Sequence, residues 1–290
     1  MGKDYRIGAL WIGGSLSYLE QLCLKSFIDA GQHVVLYTYE GVTNAPAGVE
    51  LADANAILPQ TGFLRHARTG SPALHSDLFR YHMLARHDDM IWADTDAYCV
   101  KPFTTETGHF YAWESDTGLN GGVLGLPPDS ETLRALLEFT ADEFAIPEWF
   151  SQAEQAALRA RKAAGDPVHA SEMVWGVWGP AAITHFLKKT GEVKFALPRV
   201  ALYPFHYKDR QMMLRPGVDM ADFVTDETFS IHFYGRRMRA RILAKEENGI
   251  PRPRSVVGKL LKKHGIDPTL APLKRPAVPD ADMIEEGEAA

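Results

Sequence analysis

The sequence predicts an α/β protein built on a parallel sheet, from three observations. The chain opens with an apolar run, a stretch of helical spacing and a second, β-branched run, the strand–helix–strand order of a parallel unit. A further four-residue apolar run, Met90–Ala93, ends directly in Asp94-Thr95-Asp96. Stretches with period 3.6 separate the later short runs.

The elements follow in order. Residues 5–11 read as a buried first strand closed by Gly13-Gly14. Ser17 and Glu20 fit a capping box, and Leu19, Leu22, Cys23 and Phe27 carry the helical stripe to Gly31. Residues 34–39 read as a second strand. Residues 40–70 show no clear period. Ser71-Pro72 marks a helix start with Pro at the first helical position, and Leu74, Leu78, Tyr81 and Ala85 line one face to Arg86. Strands are expected at 90–93, 109–113, 119–126 and 230–234. Helices are expected from a cap at Asp129 or Ser130 to residue 144, over 151–165 as an exposed insertion, and over 180–189.

Composition narrows the function. The chain has 290 residues, 46% of them apolar and 23% charged, with a net charge of -6. These values fit a folded domain and exclude a disordered or collagen-like chain. The acidic balance gives no cationic field for nucleic acid. Cys23 and Cys99 are the two cysteines, too few for a disulfide framework and without zinc spacing. No run approaches the ~18 apolar residues that span a bilayer, and the start lacks a signal-peptide pattern. The expectation is a cytoplasmic protein that meets a membrane only at its surface. Residues 236–263 carry ten Lys or Arg against Glu246 and Glu247. Within them, Val256, Leu260 and Leu261 alternate with Lys259, Lys262 and Lys263. That is either a packed helix with a solvated Lys face or a basic amphipathic helix for an anionic membrane. Residues 271–290 read as an acidic, disordered tail.

Asp94 and Asp96 are the first candidate site. Two carboxylates one residue apart in a turn can share Mg²⁺ or Mn²⁺, which prefer oxygen ligands completed by substrate phosphates. The motif alone is weak, because D-x-D should arise by chance roughly once in such a chain. Asp280-Ala281-Asp282 in the expected tail is the internal control. Position strengthens the first pair, since ligands of open α/β sheets bind outside the carboxyl ends of strands. Asp77 and Arg80 lie i,i+3 on the preceding helix. They form either a surface ion pair worth about 0.2–0.5 kcal/mol or a carboxylate and a guanidinium facing a sugar.

Together, Ser76-Asp77-x-x-Arg80-x-x-x-Leu84 and the apolar strand leading to Asp94-x-Asp96 resemble the sugar-binding region of DXD-containing glycosyltransferases. Fungal α-mannosyltransferases, inositol-phosphorylceramide glycosyltransferases and bacterial polysaccharide enzymes belong to that group. Trp11-Ile12-Gly13-Gly14 is similar to their base-stacking Trp with its glycines. Leu119-Asn120-Gly121-Gly122-Val123 is similar to a strand whose Asn contacts the donor sugar, although Gly121 stands where many relatives carry Asn or Ala. Ser230-Ile231-His232-Phe233-Tyr234 is similar to a late strand whose His reaches the diphosphate or metal, with Tyr234 where relatives often place Trp. Trp178-Gly179-Pro180 resembles a structural Gly-Pro corner.

The resemblance implies a single GT-A-type domain over residues 1–270, with a mixed, mostly parallel sheet flanked by helices. A helical insertion would cover 146–190 and a basic helical part 236–265. It implies transfer, with retention, from a nucleotide-diphosphate sugar to a glycan or lipid-linked acceptor. Mn²⁺ or Mg²⁺ would sit on Asp94, Asp96 and His232. Trp11, Gly13, Ser76, Asp77, Arg80, Asp94, Asn120 and His232 would bind the donor, and Asp77, Arg80, Asp94 and Asp96 would serve the reaction. Glu114 is left open between an acceptor-side role and a loop acid. The alternatives are a nucleotide-sugar-binding module without turnover and a nucleotidyltransferase of similar sheet. The latter usually shows a basic Gly-rich loop after the first strand, and residues 11–16 contain no Lys or Arg.

Overall fold

The computed structural model describes residues 4–274. Seven strands and eight α-helices alternate among them: β1 (Arg6–Trp11), α1 (Tyr18–Asp29), β2 (Val34–Thr38), β3 (Val49–Asp53), α2 (Ala73–Arg86), β4 (Met90–Ala93), β5 (Ala97–Cys99), β6 (Val123–Leu124), α3 (Glu131–Thr140), α4 (Gln152–Ala163), α5 (Pro180–Thr190), α6 (Arg199–Leu202), β7 (Ser230–His232), α7 (Gly235–Lys245) and α8 (Val256–Lys263). The main sheet runs β3-β2-β1-β4-β6. All its pairings are parallel except β4 with β6. The expected α/β fold with a mixed, mostly parallel sheet is therefore present. Strand alternation buries both faces. Ile7 and Ala9 of β1 face α1 through Leu24 and Phe27, while Leu10 faces α2, α3 and α5.

β5 and β7 form a separate antiparallel pair, with Ala97 opposite His232. This ladder brings a residue 136 positions away beside the acidic turn. A third apolar cluster lies behind it, joining Tyr18 and Leu22 of α1 to Met238 and Ile242 of α7 and Val256, Val257, Leu260 and Leu261 of α8. The apolar face of α8 is thus spent on packing, and only its Lys-bearing side is left to meet an anionic surface.

The expectations differ from the structure at several places, each with a local cause. β3 falls inside the stretch without period. It is an edge strand with three of its five residues exposed, so it lacks the alternation of a half-buried strand. α2 starts one residue later than expected: Pro72 is its N-cap and accepts the Ser76 N–H at 3.0 Å. Residues 109–113 and 119–126 do not form full strands. They make isolated pairs, Phe110 with Gly125 and Trp113 with Leu119, beside the two-residue β6. The Asn120 side chain captures the Gly122 N–H at 2.7 Å and diverts the backbone from a ladder. Ser130, not Asp129, caps α3, and the Asp142 carboxylate ends the segment by taking the Phe144 N–H at 2.9 Å.

α4 has no buried residue, in keeping with an exposed insertion. α5 forms over the expected helix and is packed: Ala182, Ile183, Phe186 and Leu187 are core residues against α3. At the other end, Ala271 and Leu273 are buried in the third cluster, so packing continues past residue 270. The rest of the expected tail, including Asp280-Ala281-Asp282, lies outside the described residues. No described helix is long and apolar enough to cross a membrane.

Candidate metal and donor site

Asp94 follows β4 at the carboxyl edge of the sheet. Its backbone N–H donates to Gly122 O at 2.7 Å, and its Oδ1 accepts the Trp92 indole N–H at 2.8 Å. Asp96 is held by β7 and α7. Its Oδ1 lies 3.2 Å from His232 Nε2, and its Oδ2 accepts the Gly235 N–H at 2.6 Å. Gly235 opens α7, so Asp96 also sits at the positive end of a helix dipole. Tyr234, between His232 and that helix, holds a left-handed backbone at φ 53°. For a Tyr this stores about 1–3 kcal/mol, and such strain collects at sites that must hold an awkward geometry.

One ligand atom each from Asp94, Asp96 and His232 lies within 4.8 Å of the others. Two carboxylate oxygens and an imidazole nitrogen suit Mn²⁺, and the oxygens suit Mg²⁺. The space between them is kept open by a missing side chain. A Cβ on Gly122 would stand 3.2 Å from His232 Nε2 and 3.4 Å from Asp94 Oδ2. The residues present therefore fit a divalent cation.

Behind this group lies the Asp77–Arg80 pair, which is buried rather than solvated: the residues are 6% and 5% exposed. Arg80 Nη2 stands 3.1 Å from Asp77 Oδ1 and 3.3 Å from Asp94 Oδ1. Its Nη1 donates to Gly121 O, and its guanidinium lies 4.9 Å from the Trp92 ring centre. Burial pushes the Asp77 carboxyl up to about 7 against the pull of Arg80, with Asp94 adding to the rise. Asp94 is raised as well, by burial first, with Arg80 opposing and Asp96 adding. The Gly-Pro corner has a direct part in this: a Cβ on Gly179 would meet both Asp77 oxygens at 2.8 Å. Tyr81 fixes that corner by donating to Trp178 O at 2.6 Å.

Asp77, Arg80, Asp94, Asp96, Asn120 and His232 line one cavity of about 800 Å³. Trp11, Gly13 and Ser76 are not among its lining residues. Trp11 ends β1 on the same sheet edge, with its ring against the second apolar cluster. Gly13 lies next to it, 3.5 Å from the indole nitrogen by its would-be Cβ. Ser76 lends its carbonyl to Arg80 Nε at 3.4 Å. The cavity also takes residues that spacing had not singled out. Trp175 is 43% exposed at its rim, with Arg236 4.9 Å from the ring centre. His206, Lys208 and Arg237 also line the cavity. Glu114 lines the cavity too, beside Tyr234, whose hydroxyl burial and this carboxylate push up. A cluster of loop residues from distant segments carries no sequence spacing by which to find it.

Neither a protein-family model nor a curated protein sequence matches the chain. Among solved structures, the apo structure of WbbM, described as a bifunctional glycosyltransferase, aligns with 80% of this chain at 12% identity and a TM-score of 0.33. The alignment covers 46% of that chain, so the present chain spans less than half of its length. At that similarity nothing about activity transfers. The chain is an α/β protein whose sheet edge gathers an Asp-Asp-His group and a buried Asp–Arg pair in one cavity.

Proposed function

We propose that this chain is a metal-dependent glycosyltransferase, moving a sugar from a nucleotide-diphosphate donor to a glycan or lipid-linked acceptor with retention at the anomeric carbon. The observation that supports it most is the shared cavity, in which three side chains suited to a metal face a buried carboxylate–guanidinium pair. A cation site suits the diphosphate, and a hydrogen-bonding pair in a dry wall suits sugar hydroxyls.

Asp94, Asp96 and His232 would hold Mn²⁺ or Mg²⁺, whose chemistry there is Lewis-acid neutralisation of the departing diphosphate. Asp77 accepts from donor hydroxyls. Arg80 keeps it in place and limits negative charge beside Asp94. The Asn120 carbonyl is engaged by Gly122, which leaves its amide nitrogen for the sugar. Lys208 in the lining draws the anionic donor in. In the transfer, the bond from anomeric carbon to diphosphate oxygen breaks and its electron pair leaves with the diphosphate. The acceptor oxygen bonds to that carbon, and its proton passes to the departing phosphate oxygen, so no general base is required.

The test is a donor screen. Purified protein is incubated with UDP-, GDP- and other nucleotide sugars, with Mn²⁺, Mg²⁺ or EDTA, and free nucleotide is measured. Slow release from one donor that stops in EDTA is expected. Saturable, metal-dependent nucleotide binding without release would favour a binding module. Neither release nor binding would overturn the proposal.

A further inference from the structure

A second cavity of about 420 Å³ opens beside the first and shares Glu114 and Pro180 with it as walls. Its other side is formed by Trp149, Thr184, His185 and Lys188. The two spaces are thus neighbours that share a carboxylate as a wall. The volume falls within the roughly 300–1,000 Å³ of small-ligand sites.

The lining chemistry selects the ligand. Trp149 gives an aromatic wall, and its indole N–H is buried with no acceptor. Its ring is braced by Phe139 at 5.0 Å and His185 at 5.2 Å, so it cannot swing away freely. Lys188 is held over the groove by donating to Thr117 O at 2.9 Å, with its ammonium 5.4 Å from the Trp113 ring centre. The charges of Lys188 and Glu114 face the same space and offset each other. That favours a neutral ligand over a second anion. A rigid aromatic wall, an ammonium and a carboxylate form a surface for a polyhydroxylated ring, with its C–H face on the aromatic side and its hydroxyls toward the polar groups. None of these groups belongs to the Asp94, Asp96 and His232 set.

We propose that this groove is the acceptor subsite and that it takes a saccharide ring, so that the acceptor is a glycan chain entering past Glu114. The inference rests on the donor reading of the first cavity. Glu114 here orients the acceptor hydroxyl as it crosses between the two spaces. The ring behind that hydroxyl sits in the groove on Trp149.

The experiment is a printed array of defined saccharides probed with labelled wild-type protein in EDTA, beside Lys188→Glu and Trp149→Phe. Lys188 is exposed, so its substitution leaves packing intact, and Phe keeps an aromatic ring at 149 while removing the wider indole face on which the saccharide would lie. Wild type should retain at least one saccharide class, and both variants should weaken that retention tenfold or more. No retention by wild type, or retention unchanged in both variants, overturns the inference. A separate titration of wild type with UDP and GDP in Mn²⁺ reports on the donor reading. Nucleotide binding without saccharide retention leaves that reading standing and this one fallen. Saccharide retention without nucleotide binding removes the donor reading and with it the name acceptor subsite.

Discussion

The substitution Asp77→Asn removes a charge from the least solvated point of the site at almost constant volume. In the folded chain, burial lifts the Asp77 carboxyl from 3.8 to about 7. In the unfolded chain it titrates near its ordinary value. Between those values the folded state keeps a proton that the unfolded state has lost, so stability is greatest below pH 4 and falls as pH rises toward 7. A shift of this size corresponds to about 4 kcal/mol over the whole window and about 2.6 kcal/mol between pH 5 and 8. An amide cannot titrate. Urea unfolding of both proteins in EDTA, at pH 5, 6, 7 and 8, should therefore give the Asp77→Asn variant the flatter profile, by about that difference. Comparing two chains that differ at one group cancels the titration of every distant residue. Donor turnover should be lost in the same variant. Parallel profiles would refute the reasoning, because they would mean that Arg80 compensates the buried charge fully and that Asp77 behaves as an ordinary ion-pair carboxylate.

Three further outcomes are expected. Gly122→Ala puts a methyl 3.2 Å from His232 Nε2 and 3.4 Å from Asp94 Oδ2. Since ligand positions tolerate only about 0.2 Å, Mn²⁺ affinity by calorimetry should fall tenfold or more while thermal unfolding stays cooperative. Asp96→Ala should abolish metal-dependent nucleotide release, and it should also lower stability by about 1 kcal/mol through loss of the cap on α7. A far larger loss in denaturant unfolding would point to a structural role instead. Arg239→Met removes the guanidinium that pairs with the buried Glu20 and ties α1 to α7. Unfolding free energy should drop by about 3 kcal/mol, and an unchanged midpoint would show that Ser17 alone satisfies Glu20.

What the sequence made legible was local. The capping box at Ser17 and Glu20 is present, with Ser17 N–H on Glu20 Oε2 at 2.7 Å. Yet nothing in its spacing foretold that Glu20 also receives Arg239 from the far end of the chain. Asp94 and Asp96 were readable because a short apolar strand delivers them to a sheet edge. His232 was readable only by resemblance, since its partner strand β5 has three residues and no visible period. Asp77 and Arg80 at i,i+3 looked the same as any surface pair. Their burial comes from Gly179 and Trp178, which a distant part of the chain brings over them. Glu114 was readable only as an acid just before the Asn120 segment; Trp175 and the second cavity stood outside any pattern, because they are set by where loops meet and not by periodicity.

The charge balance of the site bears on whether it holds a ligand or only a structural ion-pair network. A buried network that only stabilises a fold matches its charges, because each unmatched ion costs several kcal/mol in effective desolvation. Here Asp77 and Asp94 both contact Arg80, while Asp96 is held by His232 and a helix N-terminus. Two carboxylates thus share the one Arg80 guanidinium. Burial raises both Asp77 and Asp94 as a result. The chain places a glycine at 122, where a Cβ would crowd His232 Nε2 at 3.2 Å, and it holds Tyr234 in a left-handed backbone beside the ligands. Each of these choices lowers stability when taken alone. One divalent cation among Asp94, Asp96 and His232, as proposed above, would offset the negative charge that these carboxylates bring together and would lie in the space beside Gly122.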